Sequence, residues 1–316
     1  MSAAPERRSW RQAALRLGGS ALILALLVWW LPRAELWAAM RRVPAGVWLV
    51  ALAGYFSAHI AGVLKWRLMV NLAGAGLGAR TAARCYFAGL FGNIFLPSLI
   101  GGDAVRVALA WRAARSRAAV LLGSLADRLL DFVLLAGIAG AGALLLPGTL
   151  PEESRGVFRA VGWVFAAVAA IIVLAAALLP ARKFSFRMRR QLARLRQARR
   201  ALGRQPLMVL LAAGLGVVVQ VSFIVMMWIL AAACGLELPL RAWLFAYPLA
   251  KLAALAPVTQ GGIGVREVAL AALLAPLGAP VVLTVAAGLV WETVVISGGL
   301  LGGGVSLLLR EQSSRV

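Results

Sequence analysis

The chain has 316 residues, 62% hydrophobic and 14% charged, with a mean hydropathy of +0.89, whereas soluble domains are roughly 45–50% apolar; it reads as an integral membrane protein. Its net charge of +22, from 33 Lys+Arg against 11 Asp+Glu, would suit nucleic acid in a soluble chain, but here it fits basic loops on an anionic leaflet, and no nucleic-acid partner is expected. Two cysteines, Cys85 and Cys234, and one histidine, His59, exclude a multi-ligand metal centre, a metal cluster and a disulfide framework.

Arg7, Arg8, Arg11 and Arg16 precede an apolar run over 17–31 that ends in Trp29, Trp30 and Pro32, the layout of an uncleaved first span with an aromatic far end. Further apolar stretches follow at 47–64, 85–100, 118–146, 157–179, 207–233, 242–256 and 281–309. A crossing helix needs about 20 apolar residues. The stretches 85–100 and 242–256 fall short of that and end in Pro and Gly, so broken helices are expected there. A packed or hydrogen-bonded role is expected for His59, alone in its apolar span.

Charge placement decides which segments cross. The loop 182–204 holds Lys183 and nine arginines and no acid, so it is expected to be cytoplasmic, lying on anionic lipid. With the N-terminal arginines also inside, an even number of crossings separates the two. The full-length spans beginning near 17, 47, 118 and 157 supply four, so 85–100 must turn back. This keeps Lys65, Arg67, Arg80, Arg84, Arg112, Arg115 and Arg117 inside and Pro151, Glu152 and Glu153 outside, with Arg33, Arg41 and Arg42 as exceptions. Both termini are expected on the cytoplasmic side.

One self-match stands out, at an offset of 160 residues: P-x-x-x-G-G-x-x-V-R from Pro97 to Arg106 and again from Pro257 to Arg266, with five identities. Each copy closes a short apolar segment and opens another. On the topology above, the first hairpin enters from the cytoplasm and the second from outside, so the repeats are inverted. The expected fold is all-α and polytopic, a single transmembrane domain over 1–316 with two re-entrant hairpins. One half covers about 47–146 (hairpin 85–115) and the other about 207–309 (hairpin 242–274), with a basic cytoplasmic loop at 181–205. Paired Gly/Pro-interrupted segments point to a transporter's binding site near the bilayer midplane; the alternative is a pair of kinked packing helices with no ligand.

The chemistry of these loops suits an anion. Gly101, Gly102, Gly261, Gly262 and Gly264 permit turns and close backbone approach. Helices opening near Asp103 and Ile263 would aim free N–H groups at a ligand. Arg106 and Arg266 sit one turn further on, and an arginine at membrane depth costs roughly 2.5–3.5 kcal/mol on insertion scales, so a partner should offset it. That partner is either a neighbouring carboxylate, Asp103 or Glu267, or a phosphate held bidentately. Asp127, Arg128 and Asp131 are expected near the cytoplasmic end of 118–146, either as an interfacial ion pair or in a headgroup or proton role. Lys251 lies in the second short segment. Glu292, beside Trp291 in the last span, is expected to pair with Arg266 or Lys251 or to carry a proton.

Catalytic signatures are missing. No G-x-x-x-x-G-K-[ST], G-x-S-x-G or H-E-x-x-H occurs, and each is needed for its chemistry, so no enzymatic activity, catalytic residue, metal or cofactor is expected. K-W-R at 65–67, F-G-N-I-F-L-P-S-L-I-G-G-D-A-V-R at 91–106, D-R-L-L-D at 127–131 and A-P-V-T-Q-G-G-I-G-V-R-E at 256–267 together resemble the lysylphosphatidylglycerol synthase transmembrane, flippase-like family over nearly the whole chain. The resemblance implies a bacterial or archaeal membrane protein that moves a lipid between leaflets, here a stand-alone member without the soluble aminoacyl transferase domain.

The leading expectation is therefore a flippase or transporter of the cytoplasmic membrane for a phosphate-bearing lipid: a phospholipid, an aminoacylated lipid or a polyprenyl-linked one. Its headgroup site would comprise the five glycines with Asp103, Arg106, Arg266 and Glu267. Asp127, Arg128, Asp131, Lys251 and Glu292 would serve as ion-pair or coupling residues. Two alternatives are a lipid-modifying membrane enzyme using Asp127 and Glu267 as acid and base, and a scaffold that recruits such an enzyme through the basic loop.

Overall fold

In the computed structural model, residues 29–96, 101–146, 204–254 and 262–311 are described. The first span up to Val28, the stretch 157–179, the loop 182–204 except Arg204, Gly261 and the two motif prolines, Pro97 and Pro257, lie outside them.

Among the described residues every regular element is a helix. In chain order these are α1 (Arg33–Arg41), α2 (Ala45–Leu72), α3 (Ala79–Phe95), α4 (Gly101–Ala113), α5 (Arg117–Leu144), α6 (Pro206–Ala233), α7 (Leu240–Ala253), α8 (Val265–Leu274) and α9 (Val281–Glu311). Helix-breaking residues set their bounds. Pro32, Pro44 and Pro239 stand at N-caps with φ near −60°, and Pro206 opens α6, positions where proline's missing N–H costs nothing. Ser116 caps α5 by accepting the Ala119 N–H at 3.3 Å. α3 stops at Leu96, whose backbone is extended (φ −92°, ψ 139°), because the ring of the following Pro97 excludes the helical region for the residue before it.

α2, α6 and α9 are long and apolar enough to cross a membrane. α5, with 28 residues, has the length, about 42 Å, but carries Asp127, Arg128 and Asp131 along it. α3 and α7 have 17 and 14 residues and rise only about 26 and 21 Å. The short apolar segments of the sequence are thus short helices, though α3 starts earlier than expected: Arg80 and Arg84 lie within its first two turns rather than flanking it. Large apolar side chains such as Leu49, Val50, Leu125, Val133, Leu210 and Leu300 are exposed, as expected of surfaces facing lipid tails.

The helix order of long, short, short, long occurs twice. Adding 160 to the bounds of α2 (45–72) gives 205–232 against 206–233 for α6, and the shift carries α3, α4 and α5 onto α7, α8 and α9 in the same way. Packing follows the same correspondence. α2 packs on α6, α3 on α9 as α7 does on α5, and α3 on α4 as α7 does on α8. α2 and α6 run antiparallel: Gly54 lies against Met226, Tyr55 and His59 stack on Phe223, and Lys65 reaches Gly216.

Two seams need glycine. At the turn of the first hairpin a Cβ on Gly102 would sit 2.1 Å from the Gly89 carbonyl oxygen, so α3 and α4 touch backbone to backbone. Where α9 passes α2 and α3, Gly298, Gly299 and Gly303 leave room for Tyr55, Ile94 and Phe91, the small-residue packing that lets membrane helices approach closely. α1 lies on α9 with Leu36 and Ala39 buried and Arg41 stacked over Trp37 at 4.8 Å.

Candidate functional site

The first motif arginine is buried in a crowd of charge. Arg106, on α4, has the Asp103 carboxylate at 2.8 Å and that of Asp127 at 3.8 Å, and its guanidinium lies between the rings of Trp66 and Tyr86, 4.8 and 5.1 Å from their centroids. Trp66 is fixed in turn by donating to the Ser124 hydroxyl at 2.9 Å. Asp103 also accepts two hydrogen bonds from Arg128, both at 2.5 Å. Lys65, from α2, donates to Asp131 at 2.6 Å and lies 3.1 Å from Asp127. Three cations therefore face three carboxylates in one cluster. Buried charges persist only when paired in this way.

The second motif arginine is held differently. The Glu267 carboxylate accepts the Gly264 N–H at 2.7 Å and an Arg266 Nη2–H at 2.8 Å, and Glu292 accepts a short hydrogen bond from the same nitrogen. Gly264 can start α8 because it takes a φ of 87°, a left-handed value that side chains disfavour. Glu267 is fully buried, and Gly288 on α9 makes room for it, since a Cβ there would come within 2.7 Å of its Cγ.

Between the two arginines lies a cavity of about 250 Å³. Both halves line it: Tyr55 and His59 from α2, Asp103 and Arg106 from α4, Arg128 and Asp131 from α5, Gln220 and Phe223 from α6, Tyr247 and Lys251 from α7, Arg266 from α8, and Trp291 and Glu292 from α9. One side is aromatic, with Tyr55, Phe223 and Trp291 packed at 5.3 to 6.1 Å between centroids. The other is charged. Gln220 joins the halves there, donating to Asp131 at 3.3 Å and accepting from Lys251 at 2.8 Å. The buried Nε–H groups of Arg106 and Arg266, and His59 Nε2, have no partner among the described residues. Unsatisfied buried polar atoms are uncommon; these three, with Arg106 Nη2, which meets Asp103 as an ion pair but makes no hydrogen bond, lie on residues lining one cavity, and the arginine donors among them suit an acceptor-rich ligand.

Several expectations shift. Asp127 is 2% exposed, and its nearest cation is Lys65, not the adjacent Arg128. The main partner of Arg128 is Asp103 on α4, not its neighbours on α5. Of the two partners open to Glu292, the structure gives it Arg266, as expected. α4 is already helical at Gly101, and α8 begins at Val265. Two N–H groups expected to be free at these helix starts are occupied: that of Gly102 by Asn93 Oδ1 at 3.0 Å and that of Gly264 by Glu267. Gly101 and Gly102 serve the approach of α4 to Leu96 and α3, and Gly262 (φ 80°) turns against Ala254. His59 is packed and hydrogen-bonded as expected, its Nδ1 3.1 Å from the Tyr86 hydroxyl.

Two further residues belong to the site. Lys65, which charge placement puts with the cytoplasmic flank, is buried at the centre of the first cluster. Gln220 carries no charge and has no local signature. A compositional signal did exist: of 33 basic residues only Lys65, Lys183 and Lys251 are lysine, and the two that fall among the described residues both belong to this site.

The sequence profile of the lysylphosphatidylglycerol synthase TM region matches residues 16–303. No curated protein matches the chain.

Proposed function

The chain belongs to the lysylphosphatidylglycerol synthase TM family, a membership that ties it to membrane lipids, and from that premise we propose that it moves a phosphate-bearing lipid between the leaflets of the cytoplasmic membrane. The observation that carries this reading is the cavity lined by both motif arginines, one from each half. Its volume suits a headgroup and not a whole lipid, so the acyl chains would stay outside it among lipid tails. Arg106 and Arg266 contact the phosphate through the Nε–H groups that have no partner among the described residues, and Gly101, Gly102, Gly261, Gly262 and Gly264 complete the proposed headgroup site. Asp103 and Glu267 hold the arginines when the site is empty. Asp127, Arg128, Asp131, Lys251 and Glu292 pair charges through the cycle or carry a coupling ion.

The antiparallel course of α2 and α6, which correspond at the 160-residue offset, supports a transport cycle on inverted repeats. In this reading the α3–α4 and α7–α8 hairpins are re-entrant from opposite faces and meet near the midplane, as the broken helices of secondary transporters do. Both termini and the basic loop 182–204 lie on the cytoplasmic side, the loop against anionic lipid. No bond-making step is assigned. Asp127 and Glu267, the pair an enzyme would use, are both paired with cations.

The test is leaflet-resolved lipid movement in proteoliposomes with labelled phosphatidylglycerol. Accelerated movement that is lost in Arg106→Ala/Arg266→Ala at equal incorporation supports the reading. Acceleration that survives the double substitution overturns the assigned site, and an active lipid-modifying product formed in detergent would overturn the function.

A further inference from the structure

The cations around the cavity are not equally committed. Arg106 has Asp103 and Asp127 beside it, Arg128 has Asp103, Lys65 has Asp127 and Asp131, and Arg266 has Glu267 and Glu292. Lys251 is the exception. Among the described residues no carboxylate comes within ion-pair distance of its ammonium, whose partners are neutral: the Gln220 amide oxygen at 2.8 Å and the face of Phe223, 4.7 Å from the ring centroid. The carboxylate linked to it, Asp131, is reached only through the Gln220 amide and is already paired with Lys65. An ammonium inside a bilayer protein with only neutral contacts is expensive, and its position in the wall of a cavity offers a remedy that the paired cations do not need.

We infer that Lys251 is the charge anchor for the oxyanion of the lipid phosphate, with Gln220 as the positioning residue that holds it between the halves in the empty protein. This rests on the phosphate-lipid reading of the cavity given above. A phosphate entering beside Lys251 displaces no carboxylate, whereas the same anion at Arg106 or Arg266 must compete with two. The lysine stem suits the task, since an ammonium is a compact point charge on a flexible chain that can leave one acceptor for another. Gln220 keeps it poised: its amide nitrogen is tethered to Asp131, so its oxygen faces Lys251. Arg106 and Arg266 then add directed hydrogen bonds from Nε to a headgroup already attracted by Lys251. An uncharged lipid gains nothing from such an anchor and is rejected.

The experiment measures retention of phosphatidylglycerol, against diacylglycerol of the same chain length, by purified detergent-solubilised protein in native mass spectrometry. The same preparations go into the leaflet assay. The expected result is a preference for phosphatidylglycerol that falls by about tenfold or more in Lys251→Met, about 1.4 kcal/mol. Gln220→Glu keeps the shape but sets a carboxylate against the ammonium. It is expected to weaken retention by a similar factor and, because the new carboxylate also faces Asp131 where the amide nitrogen donated, to lower the unfolding midpoint; in folded protein it decides the matter if Lys251→Met fails to fold. Retention within twofold of wild type in either folded variant overturns the inference. Lys251-dependent retention without lipid movement leaves the anchor standing and overturns the transport reading; movement with retention independent of Lys251 does the reverse. Equal retention of both lipids by wild type overturns both.

Discussion

The two copies of the P-x-x-x-G-G-x-x-V-R motif end in arginines of very different company. Arg106 sits in a closed cluster where three cations meet three carboxylates. Arg266 stands between two carboxylates, while Lys251, also in the cavity wall, rests on a neutral partner. The motif sets the turn and the arginine; the helix packed behind it sets the charge balance. α5 brings two carboxylates and a further arginine to the first hairpin, and α9 brings Glu292 alone to the second. The first cluster is thereby saturated and the second is not.

That contrast can be broken by removing one partner from each side. Lys65→Met leaves Asp127 and Asp131 short of a counter-charge in the interior and is expected to cost about 3–5 kcal/mol, read as a lowered unfolding midpoint in detergent and a loss of folded yield. Gly102→Ala tests the hairpin that carries the saturated cluster: a Cβ 2.1 Å from the Gly89 oxygen must push α3 and α4 apart, at about 1–3 kcal/mol. Glu292→Gln removes one carboxylate from Arg266 but leaves Glu267, and about 1–2 kcal/mol is expected in the same unfolding measurement. A loss equal to that of Lys65→Met would mean the two clusters are equally closed. The smallest effect is a gain. Gly137, on the exposed face of α5, has nothing within 4 Å of where a Cβ would sit, so Gly137→Ala should stabilise by roughly 0.5–1 kcal/mol without altering lipid retention.

Much of this architecture is legible in the sequence. The short segments, the repeated motif, the apolar stretches that form α2, α6 and α9, and the pairing of Arg266 with its adjacent glutamate all follow from local signals: length, helix breakers and separations of a few residues. What escaped is what depends on distant partners. Lys65 meets Asp131 across 66 positions and Gln220 meets Asp131 across 89, and no local pattern announces either contact. The partner of Asp127 escapes for the same reason: Lys65 comes to it from another helix. Gln220 escapes because one uncharged amide in an apolar span carries no local sign of the distant residues it joins.

The division of charge between the halves bears on how the protein is made. Lys65, Arg106 and Arg128 balance Asp103, Asp127 and Asp131 within α2–α5, while Lys251 and Arg266 balance Glu267 and Glu292 within α7–α9. The first half leaves the ribosome before the second exists, yet its buried cations already have their counter-ions in the same stretch of nascent chain. It can enter the bilayer with no net buried charge, and so can the half that follows. The link across the cavity is an amide, formed only when Gln220 arrives on α6. Assembly of the two halves therefore waits on shape and hydrogen bonding, and at no stage must one half sit in lipid holding a charge that only the other can cancel.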